Sequence, residues 1–160
     1  MEHPIAGRII NLLAEHDFWF ETFDHEPVRT SEQAARLRPG YTMGQGAKAI
    51  ITRIKIPFEG KQFIMLVFPG DKKFDEGKVT KVTGSKDVRF ATEQEVGEIT
   101  EGIKPGGVPP FGNLFGLKVI CDESLFTNEK IAFNAGRTTT IAMNSEDYKT
   151  LVQPEIVDIV

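Results

Sequence analysis

Two strand-like runs joined by a tight turn constrain the fold more than any other feature of this sequence. The first run spans residues 47–57, the second spans residues 61–68, and Glu59-Gly60 lies between them. This arrangement predicts a β-hairpin. Residues 4–17 carry a helical apolar stripe, with Pro4 suited to a first-turn position. We expect that helix to cover one face of the sheet to which the hairpin belongs.

The remaining elements follow from shorter local signals. Thr30 and Gln33, and later Thr92 and Glu95, have the spacing of a capping box at the start of a helix. Asp122 and the residue after it are expected on a solvated surface turn. Further strands are predicted at residues 18–23, 87–91, 117–121, 130–133 and 138–143, and further helices at residues 72–83, 92–101 and 145–151.

Length and composition indicate one globular domain over residues 1–160. The chain has 160 residues, of which 40% are hydrophobic and 26% charged, and it contains no internal repeat or low-complexity linker. The single cysteine, Cys121, lies in an apolar run and is predicted to be a buried small hydrophobe. The N-terminus lacks the pattern of a signal peptide, and no apolar run approaches the roughly 18 residues of a membrane span. We expect a cytoplasmic protein without a membrane partner.

The net charge of −4 argues against a broad nucleic-acid-binding surface, which depends on many phosphate contacts. It leaves room for a protein that holds only the end of an RNA. One local basic cluster stands out, and either a solvated helix face or an RNA-facing patch explains it equally well. Its members are Lys72, Lys73, Lys78, Lys81, Lys86 and Arg89.

Residues 104–112, Lys-Pro-Gly-Gly-Val-Pro-Pro-Phe-Gly, form a loop with unusual chemistry. We call it the glycine–proline loop. Adjacent glycines permit positive φ angles and close approach of a ligand to the backbone. Adjacent prolines fix φ and remove two amide donors, so the remaining amides point in few directions. Such a loop suits backbone stabilisation of a developing negative charge, although Gly and Pro also occur in ordinary surface turns.

A second stretch, residues 44–51, places one lysine at the start of the first apolar run. Its sequence is Gly-Gln-Gly-Ala-Lys-Ala-Ile-Ile, with Lys48 flanked by small and apolar residues. Lys48 either extends from a strand edge into solvent or reaches into a pocket and holds an anionic group there. The residues themselves leave both interpretations open.

Taken with His-Glu-Pro-Val-Arg-Thr at residues 25–30, these stretches resemble the YbaK family of aminoacyl-tRNA deacylases. That family includes the editing domain associated with prolyl-tRNA synthetases. Residues 106–110 match its GxxxP loop, Lys48 matches its functional lysine, and Asn134-Ala135-Gly136 matches a late turn of many relatives. The resemblance covers nearly the whole chain. It implies a mixed α/β (α+β) fold with a central, largely antiparallel, barrel-like sheet and peripheral helices.

The resemblance also implies a trans-editing deacylase that hydrolyses the ester of mischarged tRNA. The implied substrate is tRNA for proline that carries Ala or Cys. The glycine–proline loop amides would hold the carbonyl oxygen or a water, and Lys48 would contact the phosphate or ribose side or polarise the ester. The substrate's own ribose hydroxyl would orient the water. The implied catalytic residues are Lys48, Gly106, Gly107 and Val108, and the implied substrate-binding residues are His25, Thr30, Gly46, Pro109, Pro110, Phe111, Gly112, Asn134 and Gly136.

This assignment needs no cofactor and no metal, and the implied partners are the acceptor end of an aminoacyl-tRNA and an aminoacyl-tRNA synthetase. The sequence contains no HExxH, CxxC, GxSxG or phosphate-loop motif. Pro109 departs from the family, whose loop often has a small polar residue there. Two alternatives remain: a non-catalytic module that binds tRNA or a nucleotide, and a hydrolase for another small ester or amide.

Overall fold

The computed structural model describes residues 4–27 and 40–160. In this part of the chain, four α-helices are interspersed among eight strands. The helices are α1 (Ile5–Glu15), α2 (Glu76–Thr83), α3 (Glu93–Thr100) and α4 (Ser145–Val152). The strands are β1 (Phe20–Asp24), β2 (Ala47–Ile56), β3 (Gly60–Pro69), β4 (Val88–Phe90), β5 (Lys118–Asp122), β6 (Lys130–Asn134), β7 (Thr139–Asn144) and β8 (Glu155–Val157). Short 3-10 helices occur at Met43–Gln45, Gly112–Phe115 and Glu123–Thr127.

The strands form two sheets that meet at one point. One sheet has the order β1-β7-β6, and the other has the order β4-β2-β3-β5-β8. The predicted hairpin of β2 and β3 is confirmed, with Ala47 opposite Pro69 and Ile56 opposite Gly60. Within residues 4–27 and 40–160, one isolated bridge, between Gly46 and Ala132, joins the sheets. The two sheets together are barrel-like but do not form a closed barrel.

The main hydrophobic core lies between the two sheets. Alternate side chains point to opposite faces of a strand, so one face of each sheet supplies this core. Ile51 and Met65 come from the larger sheet, and Phe133 and Ile141 from the smaller one. Helix α1 adds Ile5, Ile9 and Leu13, spaced for one helical face, while α3 and α4 add Val96, Tyr148 and Val152.

A second core covers the opposite face of the larger sheet. Ile54, Leu66 and Phe68 lie on that face, and Val79 of α2 packs against them. Ile159, near the end of the chain, completes the cover. Because β3 is buried on both faces over residues 64–68, it is continuously apolar there instead of alternating. Strand β2 keeps Lys48, Arg53 and Lys55 among its apolar residues.

The expected fold class is confirmed: helices pack around a mixed, largely antiparallel sheet system. The parallel pairs, β3 with β5 and β5 with β8, were not predicted. Strand β8 was missed because its three residues have no periodic pattern of their own. No helix among residues 4–27 and 40–160 is long and apolar enough to cross a membrane. The capping box predicted at Thr30 and Gln33 lies outside the described residues.

The prediction for Asp122 was wrong. Its side chain is buried, at 1% exposure, instead of lying on a solvated turn. One carboxylate oxygen accepts from the Ile159 amide at 2.8 Å, and the other accepts from the amide and hydroxyl of Ser124. The carboxylate therefore begins the third 3-10 helix and holds the end of the chain over the second core.

Candidate active site

The glycine–proline loop is fastened to the turn between β6 and β7. The Asn134 side-chain amide donates to the Gly106 carbonyl at 2.9 Å, and the Gly136 amide donates to the Gly107 carbonyl at 2.7 Å. Gly106 has φ of +91°, a conformation that glycine adopts readily. A side chain at Gly107 would lie 2.8 Å from Arg137 Cγ and 2.9 Å from the Gly136 carbonyl carbon. Both glycines are therefore required where the two segments meet.

The loop presents backbone amides that the rest of the described chain does not use. The Gly107 amide donates to the Lys104 carbonyl at 3.0 Å within a tight turn. Within the described residues, the amides of Gly106 and Val108 donate no hydrogen bond. Val108 is buried, and a buried amide normally has an acceptor in a folded protein. None of the described residues supplies one for Val108.

The second half of the loop is anchored in the main core. The Phe111 side chain is fully buried, and it packs against Phe133 and Tyr148 with ring centroids 5.4 and 5.6 Å away. The Tyr148 hydroxyl donates to the Pro110 carbonyl at 2.6 Å, and burial raises the pKa of that hydroxyl well above its usual value. At Gly112, an added side chain would lie 2.7 Å from Val119 Cγ2. The anchor fixes the position of the amides that precede it.

Lys48 of β2 and Asn134 of β6 both lie near the joint between the sheets, which is the bridge between Gly46 and Ala132. Gly46 and Ala132 form the parallel bridge, and Lys48 and Asn134 each come two residues later on their strands. Residues two apart point to the same face of a strand, so both side chains face the same side of the joint. Among the described residues, β2 and β6 share no further bridge beyond this point. Asn134 in turn holds Gly106 through its side-chain amide.

The Lys48 ammonium group is exposed and is not paired with a carboxylate in the described part of the chain. Its Nζ lies 5.9 Å from the centre of the Phe68 ring, within the range of a cation–π contact. Gly46 precedes it in a buried turn, where the Gly46 carbonyl accepts from the Gly70 amide at 2.8 Å. The Thr42–Gln45 capping box shapes this approach to β2. A lysine with a fixed backbone and an exposed ammonium group suits an anionic ligand.

His25 lies at the end of β1 and reaches the same region. Its amide donates to the Thr138 carbonyl at 2.8 Å, and its Nε2 lies 2.7 Å from the hydroxyl of Thr140. Thr140 in turn lies 3.2 Å from Asn134 Oδ1. The structure therefore brings five of the predicted site residues together through hydrogen bonds. His25 is linked through Thr140 to Asn134, Asn134 is bonded to Gly106, and Gly136 is bonded to Gly107.

Sequence reasoning missed two residues of this region, Thr140 and Tyr148. Both act through side-chain contacts with residues far away in the sequence, and neither lies in a motif. The predicted site residue Thr30 lies outside the described residues. In the basic cluster, Lys78 pairs with Asp158 and Arg89 pairs with Glu95, each at 3.0 Å. Lys72, Lys73, Lys81 and Lys86 are exposed and have no ion pair in the described part of the chain.

Comparison with known proteins places this geometry in a family. The family model for the aminoacyl-tRNA editing domain matches residues 25–151. The chain is 32% identical over 154 residues to the multifunctional Ser/Thr-tRNA deacylase ProXp-y of Escherichia coli (strain K12), covering 94% of this chain and 90% of the relative. It is 28% identical over 146 residues to the proline–tRNA ligase of Ralstonia pickettii, covering 86% of this chain and 24% of the ligase.

A solved structure gives the same result. The crystal structure of a proposed trans-editing enzyme for prolyl tRNA synthetase superposes with a TM-score of 0.80 at 25% sequence identity, covering 99% of this chain and 98% of that one. The matched family segment includes Lys48, the glycine–proline loop and the turn after β6. The chain belongs to the aminoacyl-tRNA editing domain family.

Proposed function

We propose that this protein hydrolyses the ester bond between a wrongly attached amino acid and the terminal ribose of a tRNA. One observation carries the proposal. The glycine–proline loop is fixed at both ends, and its Gly106 and Val108 amides have no hydrogen-bond acceptor among the described residues. The family assignment and the name of the ProXp-y relative support this activity.

An aminoacyl ester is already activated, so positioning and charge stabilisation are the main tasks left to the protein. The amides of Gly106 and Val108 hold the oxygen that becomes negative as water attacks the ester carbonyl. The neighbouring ribose hydroxyl of the substrate orients that water. Cys121 is not a candidate nucleophile, because it is buried and its burial raises the pKa of the thiol.

We assign Lys48 to the phosphate or ribose side of the terminal nucleotide. Its ammonium group is exposed, and no carboxylate in the described residues neutralises it. A covalent role is excluded on chemical grounds, because a Schiff base needs an aldehyde or ketone and this substrate is an ester. Binding of the acceptor end would bring a phosphate to the gap beside Asn134.

The amino acid removed is small. The resemblance predicted Ala or Cys on tRNA for proline, whereas the name of the ProXp-y relative supports Ser and Thr. These four side chains differ by one or two heavy atoms. A pocket distinguishes a single methylene by only about 1–3 kcal/mol, so activity on more than one of them is expected.

A deacylation panel tests the proposal. Purified protein is mixed with tRNAs charged with Ala, Cys, Ser or Thr, with and without prolyl-tRNA synthetase, and release of the amino acid is followed over time. Lys48→Ala and Gly106→Ala should each lower release at least tenfold. Lys55→Ala is the matched control, since Lys55 is an exposed lysine further along the same strand. The site assignment fails if both site variants release as fast as the unmodified protein.

A non-catalytic tRNA- or nucleotide-binding module is the second candidate. The observation in its favour is that the Gly107 amide is already used by Lys104, while Pro109 and Pro110 have no amide hydrogen. A gel shift with charged tRNA separates the two functions. A binding module retains tRNA that still carries its amino acid, whereas a deacylase yields uncharged tRNA in the same samples.

A further inference from the structure

Three side chains connect the end of β1 to the glycine–proline loop. His25 Nε2 lies 2.7 Å from the Thr140 hydroxyl, which lies 3.2 Å from Asn134 Oδ1. Asn134 Nδ2 then donates to the Gly106 carbonyl at 2.9 Å. Strand β7 makes this possible because it is the middle strand of its sheet, with Thr140 directly opposite Phe23 of β1 and Asn134 of β6.

The chemistry of these groups fixes how Asn134 is oriented. The Gly106 carbonyl can only accept, so the Asn134 amide nitrogen must face it and the amide oxygen must face Thr140. That oxygen can only accept, which makes the Thr140 hydroxyl its donor. The Thr140 hydroxyl is therefore the side chain that holds the Asn134 amide oxygen in this orientation.

Thr140 also contacts the His25 ring, and its single proton cannot serve both neighbours. His25 Nδ1 lies 2.8 Å from the Glu26 carbonyl, which requires a proton on Nδ1. If the Thr140 proton goes to Asn134, Nε2 must carry a proton as well and donate it to the Thr140 oxygen. In that arrangement the Thr140 hydroxyl accepts from the His25 ring and donates to the Asn134 side chain, which holds Gly106.

We propose that Thr140 is a positioning residue for deacylation, which orients Asn134 through its hydroxyl and thereby fixes Gly106 and the amides beside it. This inference rests on the proposed function. Thr140 is fully buried, so its hydroxyl does not touch the substrate. Its effect on the reaction passes through Asn134 and belongs to the catalytic step more than to tRNA binding.

The chain offers a matched set of variants. Thr140→Val keeps the shape of the side chain and removes the hydroxyl, whereas Thr140→Ser keeps the hydroxyl. Thr139→Val is the control, since the neighbouring Thr139 hydroxyl donates to Asp24 at 3.2 Å and has no link to Asn134. We expect kcat for Thr140→Val to fall about tenfold or more, because the half-buried Asn134 oxygen loses its donor, with KM for charged tRNA within about twofold. Thr140→Ser and Thr139→Val should stay within about threefold of the unmodified protein.

A double variant tests whether the effect passes through Asn134. If it does, Asn134→Ala combined with Thr140→Val should lose no more activity than Asn134→Ala alone. The inference is overturned if Thr140→Val retains full kcat, if Thr140→Ser is as impaired as Thr140→Val, or if the two losses simply add. Circular dichroism and the unfolding midpoint of each variant confirm that it is folded.

Amide hydrogen exchange keeps this inference separate from the proposed function. The Gly136 amide is bonded to Gly107, so its exchange reports on the contact between loop and turn whether or not the protein is a deacylase. Exchange at residues 104–112 and 134–137 should be faster in Thr140→Val but unchanged in Thr140→Ser and Thr139→Val. Unchanged exchange in Thr140→Val would refute the positioning role. Absence of release by the unmodified protein would refute only the proposed function.

Discussion

Gly107 shows how a single missing side chain decides the geometry of the site. A Cβ there would lie 2.8 Å from Arg137 Cγ and 2.9 Å from the Gly136 carbonyl carbon, closer than such atoms approach in folded proteins. Part of this obstacle is backbone, which cannot rotate away. The loop and the β6–β7 turn would have to separate, and the hydrogen bond between Gly136 and Gly107 would be lost.

We therefore expect Gly107→Ala to lower the free energy of unfolding by about 1–3 kcal/mol and to abolish most deacylation. Gly97→Ala is the control, because Gly97 lies in α3 with open space around an added Cβ. It should raise the free energy of unfolding by roughly 0.5–1 kcal/mol, because Ala favours the helix. Urea unfolding and the deacylation assay measure both effects. Wild-type stability in Gly107→Ala would show that the two segments separate easily.

Tyr148 supports the other end of the loop. Tyr148→Phe removes the donor to the buried Pro110 carbonyl, so we expect a loss of about 1–3 kcal/mol in the free energy of unfolding together with slower deacylation. Tyr41→Phe is a suitable comparison, because its hydroxyl donates to the exposed carboxylate of Glu21, which water can solvate instead. Thermal unfolding of both variants distinguishes the cases. Equal, small losses would mean that the Pro110 carbonyl finds another partner.

At the scale of elements, α3 leads into the glycine–proline loop, and its start is held by a confirmed capping box. The Thr92 hydroxyl accepts from the Glu95 amide at 3.1 Å, and the Glu95 carboxylate accepts from the Thr92 amide at 2.8 Å. The Arg89 guanidinium, 3.0 Å away, and the Thr92 amide hold the pKa of Glu95 at about 2. The charged carboxylate thus stabilises the start of the helix.

This carboxylate predicts a pH dependence. Because the pKa of Glu95 is lower in the folded state than its ordinary 4.5, its contribution is present above about pH 4.5 and is lost as the pH falls toward about 2. Glu95→Gln should therefore melt at a lower temperature than the unmodified protein at pH 7, with the difference shrinking through that range. Melting curves between pH 2 and 7 provide the test, and a difference that is constant with pH would exclude the charge as its cause.

The elements that the sequence predicted are those set by neighbouring residues. Strands β2 and β3 follow from their apolar runs and the Glu59-Gly60 turn, and α3 follows from its own capping box. The parallel pairing of β5 with β3 and β8 depends on partners far along the chain. The same holds for the candidate site. The glycine–proline loop is recognisable as a sequence motif, whereas the contacts of Thr140 and Tyr148 that hold it depend on the tertiary fold.

At the scale of the molecule, the position of the candidate site follows from how the two sheets meet. A bridge between Gly46 and Ala132 joins them, and the strands then separate with Lys48 on one side and Asn134 on the other. The glycine–proline loop is bonded to the Asn134 side through Gly106 and Gly107. Because the loop is also anchored by Phe111 in the main core, the position of its amides depends on packing in that core.

The charge of the molecule predicts how tRNA binding responds to salt. With a net charge of −4 and few cations near the glycine–proline loop, Lys48 among them, we expect the protein to neutralise few phosphates. Each neutralised phosphate contributes roughly −0.7 to −0.9 to the slope of log K against log salt concentration. A slope of about −1 to −3 is therefore expected. Lys48→Ala should make it shallower by roughly 0.7 to 0.9, the contribution of one phosphate.

The same titration decides between the two interpretations of the basic cluster. Filter binding of an uncharged tRNA between low and physiological salt gives the slope for the unmodified protein, for Lys48→Ala and for a variant with Lys72, Lys73 and Lys81 changed to Ala. If these exposed lysines are only a solvated surface, the triple variant keeps the wild-type slope. A wild-type slope steeper than about −5, reduced in the triple variant, would instead mean that this surface contacts the RNA backbone and that the acceptor end is not the sole contact.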